Sequence, residues 1–429
     1  MFSETTTTKS VYFWNMLGNF SNALLTVLSM MIVTRSLTSY DADIFSIGWA
    51  VSQLMATIGT FQVRMYQATD INGEFNFNQY YRFRLLCLFF MILTSICYVI
   101  YRQYDVYKAF VVMLLCVFRA VDCFADLYEG WFQQKERLDI SGKSLFLRVI
   151  ISLSVLVFFA FCSKNLIIMC VSLVISYVIS FYFFDVKIYH KFYGIINQDA
   201  SSSQSKDWLR RIIRETFPLF INSFLAISIM NAPKISIDKA LQNGLLNEGT
   251  QTIFSVLFMP ASFLTLFYMI FRPLITKMAI SWGQGKTLEF IKILKKIILI
   301  LFAFSIIVLL IAYFFGCPVL SIFYGISLND QSWNLVILLL GGCFYTFACI
   351  VDNALLVMRR QYVLVISYVL TWMLSNIISD FFVNLYGIHG GALAYMLSML
   401  FFVLSVTILF FFEFCRMKFN NIEDNDRED

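Results

Sequence analysis

Twelve stretches of about 20 predominantly apolar residues run through this chain, at roughly 11–34, 42–63, 80–101, 106–132, 144–162, 165–186, 216–233, 249–271, 290–315, 332–357, 362–383 and 387–412. A helix of about 20 residues crosses the roughly 30 Å hydrocarbon layer of a bilayer. The runs are long and continuous rather than alternating every second residue, which excludes a membrane β-barrel. Only 14% of the 429 residues are charged and mean hydropathy is +0.75, where soluble domains carry about a quarter charged residues. The expected fold is an all-α polytopic membrane protein of about 12 transmembrane helices.

Basic residues set the orientation. With both termini in the cytoplasm, 24 of the 32 Lys and Arg residues fall in inward segments and six fall outward (Arg35, Arg102, Lys108, Lys164, Lys234 and Lys239). That bias follows the positive-inside rule. Both termini are therefore expected on the cytoplasmic side. The basic connection at about 187–215, with its Ser run at 201–205, splits the chain six spans to six. Expected boundaries are an N-terminal lobe at 1–190, a cytoplasmic linker at 191–215, a C-terminal lobe at 216–412 and an acidic tail at 413–429. Matched features suggest an internal repeat: Ile44-Phe45-Ser46 with Ile253-Phe254-Ser255, Arg64 with Arg272, and Arg35 with Lys234.

Other functional classes lack their residues. His190 and His389 are the two histidines, and no cysteine pair has zinc-ligand spacing, so neither a metal nor another cofactor is expected. Nucleic-acid binding is excluded as the main role. Residues 1–10 precede the first apolar run without a cleavage signature, so that span is expected to persist.

The chemistry concentrates on polar stripes. At 100° per residue, Arg119, Asp122, Asp126, Glu129 and Gln133 of the fourth span share a sector of about 80°. Ionised groups at the bilayer centre cost about 2.5–3.5 kcal/mol each, so this face must meet protein or water. Arg119 can pair with Asp122 at i+3. One cation against three acids still requires a proton, a bound cation or basic residues from elsewhere. Asn15, Asn19, Asn22, Thr26 and Ser29 form a milder stripe in the first span, and Ser46, Trp49, Gln53, Thr57, Thr60 and Arg64 form one in the second. Single polar residues are commonly interhelical glue, but three stripes fit helices around a hydrated cavity.

The segment Arg119-x-x-Asp122-x-x-x-Asp126-x-x-Glu129-Gly130-x-x-Gln133-Gln134-Lys135-x-Arg137 resembles the fourth-helix signature of Wzx-type polysaccharide repeat-unit flippases. These belong to the multidrug/oligosaccharidyl-lipid/polysaccharide (MOP) exporter superfamily. Val33-Thr34-Arg35-Ser36-Leu37, Pro233-Lys234 and Gly387-Ile388-His389-Gly390-Gly391-Ala392-Leu393-Ala394 agree with that family in place and order. The turn at Ser39-Tyr40-Asp41-Ala42-Asp43 departs from it by lacking the usual glycine.

The resemblance implies two six-helix lobes around a central cavity, with alternating access. It implies translocation of undecaprenyl-diphosphate-linked oligosaccharide to the outer leaflet for O-antigen, capsule or exopolysaccharide synthesis. A polysaccharide polymerase and chain-length machinery are the implied further partners. On this reading Arg64, Arg119 and Arg272 contact the head group, with Asn15, Asn19, Asn22 and Gln53 lining its path. Arg35 and Lys234 gate, while Asp122, Asp126 or Glu129 binds a coupling proton or sodium ion. Membrane potential alone is the other driving force, at about 2.3 kcal/mol per charge per 100 mV. The alternatives are a cation-coupled multidrug antiporter of the same superfamily and a membrane polymerase acting on lipid-linked sugars. The outward connections are short and carry no cluster of acid, base and nucleophile, so an enzyme is not expected.

Overall fold

The computed structural model describes residues 7–70, 73–196, 207–267 and 271–425, and every regular element among them is helical. The Ser run at 201–205 and the last four residues lie outside the described residues. Helices dominate because hydrocarbon offers backbone groups no partners, so each segment must satisfy its own.

Helix α1 (Thr8–Ser36) is followed by α2 (Ser39–Thr60), α3 (Val63–Thr69), α4 (Phe77–Tyr101), α5 (Val106–Gln134) and α6 (Leu138–Cys162). Next comes α7 (Leu166–Phe181), which passes through one π-helical turn at Tyr182–Val186 into α8 (Lys187–Ile196). The remainder comprises α9 (Trp208–Gln242), α10 (Thr250–Phe267), α11 (Arg272–Gly283), α12 (Thr287–Ile311), α13 (Cys317–Tyr324), α14 (Ser332–Val357) and α15 (Leu364–Asn425).

Eight helices among the described residues are long and apolar enough to span. The bent pair α2–α3, the charge-bearing α5, the shorter α10 and the second arm of α15 bring the passes to twelve. At 62 residues, α15 would extend about 90 Å if straight. It instead turns at Gly387, whose φ of 57° and ψ of −127° are non-helical and favour glycine. This is the break expected between 383 and 387.

The second expected span, 42–63, also breaks. Phe61 and Gln62 adopt left-handed backbone at φ 44° and 52°, and α3 departs at 42° from α2. The left-handed residues are neither Gly nor Pro, and nearby Gly59 is helical and packs against α4 and α5. The turn is held instead by Phe61 stacked on Phe220 at 4.3 Å and by Gln62 donating to Ser223 at 2.8 Å. Arg64 thereby becomes the second residue of α3, and Arg272 is correspondingly the first residue of α11.

Side chains define helix starts where the sequence supplies them. Asn76 and Gln79 form a reciprocal capping box on α4, and Asp105 accepts from the Lys108 N–H at 3.1 Å to begin α5. Thr38 caps α2 in place of the missing glycine turn, accepting from the Asp41 N–H at 3.2 Å.

The chain forms two compact units, Met1–Ile227 and Ser228–Asp429. The division falls inside α9, because Phe220 and Ser223 pack onto the α2–α3 turn. In the first unit, α1 and α6 meet where Gly18 faces Gly142. A Cβ at Gly142 would strike the Trp14 carbonyl, and one at Gly18 would sit 2.7 Å from the Gly142 oxygen. Small residues bring helix backbones together in this way, where hydrophobic burial gives no drive between helices in lipid. Leu299, Phe302, Ile306 and Leu310 of α12 are exposed large apolar side chains, as a lipid-facing surface requires.

Candidate functional site: a matched arginine–carboxylate network and an unmatched lysine

The charged stripe of α5 faces protein. Arg64 from α3 reaches Asp126 at 3.2 Å and Glu129 at 2.7 Å through Nη1, while its Nε donates to Gln133 at 3.1 Å. Arg84 from α4 reaches Asp126 at 2.9 Å and donates to the Gly59 carbonyl at 2.8 Å. Arg148 from α6 pairs with Glu129 and with Asp185 of the π-helical turn, the latter at 2.6 Å. Arg119 holds Asp122 at 3.2 Å, and Tyr177 donates to that carboxylate at 2.6 Å. Four arginines thus meet four carboxylates, drawn from five segments of the first unit.

This arrangement answers the charge imbalance of the stripe. The missing positive charge comes from Arg64, Arg84 and Arg148. The Arg84 and Arg148 side chains are fully buried, whereas Arg64 keeps 27% exposure. Removing two ions from water is costly, and only close geometry with further hydrogen bonds compensates. The shared carboxylates supply that geometry. Arg119 is further held with its guanidinium 4.7 Å from the Trp49 ring and 5.3 Å from that of Phe118.

Arg84, Arg148 and Asp185 were absent from the expected site. Their signal was the excess negative charge of the fourth span, which required basic partners without saying which. Trp131 and Tyr128, by contrast, pack into an aromatic core with Phe77, Phe181 and Tyr189.

The milder stripes partly satisfy themselves. Asn19 donates to the Asn15 carbonyl at 2.8 Å, and Thr57 and Thr60 donate to carbonyls within α2. Asn22 and Gln53 are half-buried and make no side-chain hydrogen bond among the described residues. Arg35 is exposed in the last turn of α1, where a cation suits the helix dipole.

In the second unit, Lys239 of α9 reaches Asp380 of α15 at 2.7 Å, and Ser236 donates to the same carboxylate at 2.6 Å. His389 of the Gly-Ile-His-Gly-Gly stretch bonds Asn334 at 2.7 Å, tying the second arm of α15 to α14. Asp352 of α14 interacts with the Tyr368 hydroxyl. The backbone of Arg272 opens α11, while its side chain lies outside the described residues.

Lys234 differs from these charged groups. Its ammonium sits 4.3 Å from the centre of the Phe258 ring, and it forms no ion pair among the described residues. A cation–π contact contributes about 0.5–2 kcal/mol, against about 2.5–3.5 kcal/mol for a lysine at membrane depth. Phe258 alone therefore leaves the charge under-compensated.

No protein-family profile matches the chain. Among curated proteins it is 23% identical over 403 residues to the capsular polysaccharide biosynthesis protein CapF of Staphylococcus aureus, covering 92% of this chain and 97% of that protein. Among solved structures it superposes on the inward-facing conformation of a multidrug resistance MATE family transporter of the MOP superfamily. That match has a TM-score of 0.65 at 12% identity and covers 94% of this chain and 96% of the other. Lipid II flippase MurJ in an inward closed conformation gives a TM-score of 0.62 at 14% identity, over 92% and 87% of the two chains. The likeness to the MOP exporter superfamily read from the sequence is borne out, and this chain is a multi-pass membrane protein with the transporter fold of that superfamily.

Proposed function

Taking the MOP transporter fold as the starting point, we propose that this protein is a flippase. It carries undecaprenyl-diphosphate-linked oligosaccharide repeat units from the cytoplasmic to the outer leaflet by alternating access, for cell-surface polysaccharide synthesis. The observation that carries this reading is the end-to-end similarity to a capsular polysaccharide biosynthesis protein, on a fold shared with a lipid II flippase. A diphosphate with several sugars cannot cross hydrocarbon unaided, and this fold class moves cargo without a soluble catalytic domain. On this reading the protein is a transporter rather than an enzyme. It lies in the bacterial cytoplasmic membrane with both termini inside, beside the polymerase and chain-length machinery.

Arg119 and Arg64 remain the proposed head-group contacts of the first unit, with Arg272 in the second. Arg35 is proposed to gate. Asp122, Asp126 and Glu129 are proposed to bind a coupling proton or sodium ion. Because each already faces arginine, ion uptake there must displace an ion pair, whereas potential-driven export needs no such step.

The test follows the cargo in cells lacking the gene. Lipid-linked saccharides are assigned to a leaflet using inverted and right-side-out vesicles. Single repeat units stranded on the cytoplasmic leaflet, and returned outward by the gene, support flipping. Units already outside make polymerisation the missing step and end the reading. In the complemented strain Asp126→Asn is expected to alter the dependence of export on pH or sodium; an unchanged dependence favours potential-driven export. A second reading, cation-coupled drug antiport, is favoured by the MATE likeness and predicts drug sensitivity without any saccharide change.

A further inference from the structure

In the first unit the arginines that gather on α5 are matched by carboxylates. Arg64, Arg84, Arg119 and Arg148 each hold at least one. In the second unit the same helix gives two lysines different surroundings. Lys239, five residues after Lys234 and half-exposed, has Asp380. Lys234 is partly enclosed, about 12 Å before the end of α9, and has an aromatic ring instead.

An ammonium carries three donors, and no protein oxygen accepts from that of Lys234 among the described residues. Asp238, one turn further along the same face, does not pair with it. Phe258 cannot adapt freely, since it packs edge-on against Tyr395 at 4.8 Å and beside Phe254. The Lys234 head is therefore propped by a held ring and has no oxygen partner among the described residues.

We propose that Lys234 is a further cation that binds the diphosphate of the translocated lipid. The inference rests on the flippase reading and gives the anion a contact towards the outward end of α9, in addition to the arginines. An incoming phosphate would have to compete with carboxylates 2.7–3.2 Å away for Arg64 or Arg119, but with none at Lys234. Lysine suits a group that must also be released, because it acts as a point charge on a flexible stem and not as a rigid bidentate fork. The same charge disfavours a cationic drug as cargo.

The test uses full-length protein in lipid nanodiscs, with undecaprenyl diphosphate as probe and undecaprenol and phosphatidylglycerol as comparisons, read by native mass spectrometry. Wild-type protein is expected to retain the diphosphate lipid over undecaprenol. Lys234→Met is expected to bind it about ten- to a hundredfold more weakly, the range for losing a charged hydrogen-bond partner, and Lys234→Arg is expected to restore most of the affinity. Undecaprenol binding should be equal in all three, which also reports an intact fold. Undiminished diphosphate binding by Lys234→Met, with export intact in wild type, overturns this inference and leaves the flippase reading standing. Parallel loss of phosphatidylglycerol overturns it in favour of a general phospholipid contact. Recovery of binding in Lys234→Met/Asp238→Asn overturns it in favour of a counter-ion role. Wild-type protein that neither binds the diphosphate lipid nor moves repeat units overturns both.

Discussion

Arg148 bridges Glu129 and Asp185 with no exposed surface, and each of those carboxylates lies on a different helical segment from the arginine. Its removal leaves buried Asp185 without an arginine and Glu129 with Arg64 alone. Deleting one partner of a buried pair typically costs about 3–5 kcal/mol, whereas replacing both by apolar groups is often neutral. Arg148→Leu is therefore expected to unfold at a clearly lower temperature in detergent, and Arg148→Leu/Asp185→Leu to recover part of the loss. Scanning fluorimetry of the purified variants checks this; a wild-type transition in the single variant would remove Arg148 from the packing of the first unit. The acid positions were legible from the 3.6-residue period, since Asp122, Asp126 and Glu129 fall on one face of α5. Their partners were not, because Arg64, Arg84 and Arg148 lie 42–65 residues or 19 residues away along the chain, and no local period links them.

Helices meet where residues are small as well as where charges pair. Gly18 and Gly142 let the α1 and α6 backbones touch, and a side chain at either position must push the helices apart. Gly142→Leu is expected to lower both thermal stability and membrane abundance, while Gly283→Leu, with nothing within 4 Å of its Cβ position, should be nearly silent. Equal abundance and melting of the two variants would contradict the close contact. Element boundaries divide similarly. Gly387 marked the turn in α15 in advance, since only glycine readily takes that backbone. Phe61 and Gln62 gave no such signal, because their left-handed turn is held by distant Phe220 and Ser223. The expected single span at 42–63 is therefore α2 with a separate α3.

Across the whole chain, twelve passes and the bias of basic residues predict that both termini lie on the cytoplasmic side. Reporter fusions should give cytoplasmic signals after residue 416 and in the 284–286 connection, and external signals in the 243–249 and 325–331 connections; a reversed pattern would overturn the orientation. The helical class and the number and ends of most spans followed from the sequence, because lipid obliges each apolar segment to satisfy its own backbone and turns propensity into a local property. The side expected for each connection rests on a related local property, since charge asymmetry is counted along the chain, and the fusions test it. Which charges cancel depends instead on which helices become neighbours. Only the tertiary structure decided that three distant arginines neutralise α5 while Lys234, five residues from a paired lysine, faces an aromatic ring.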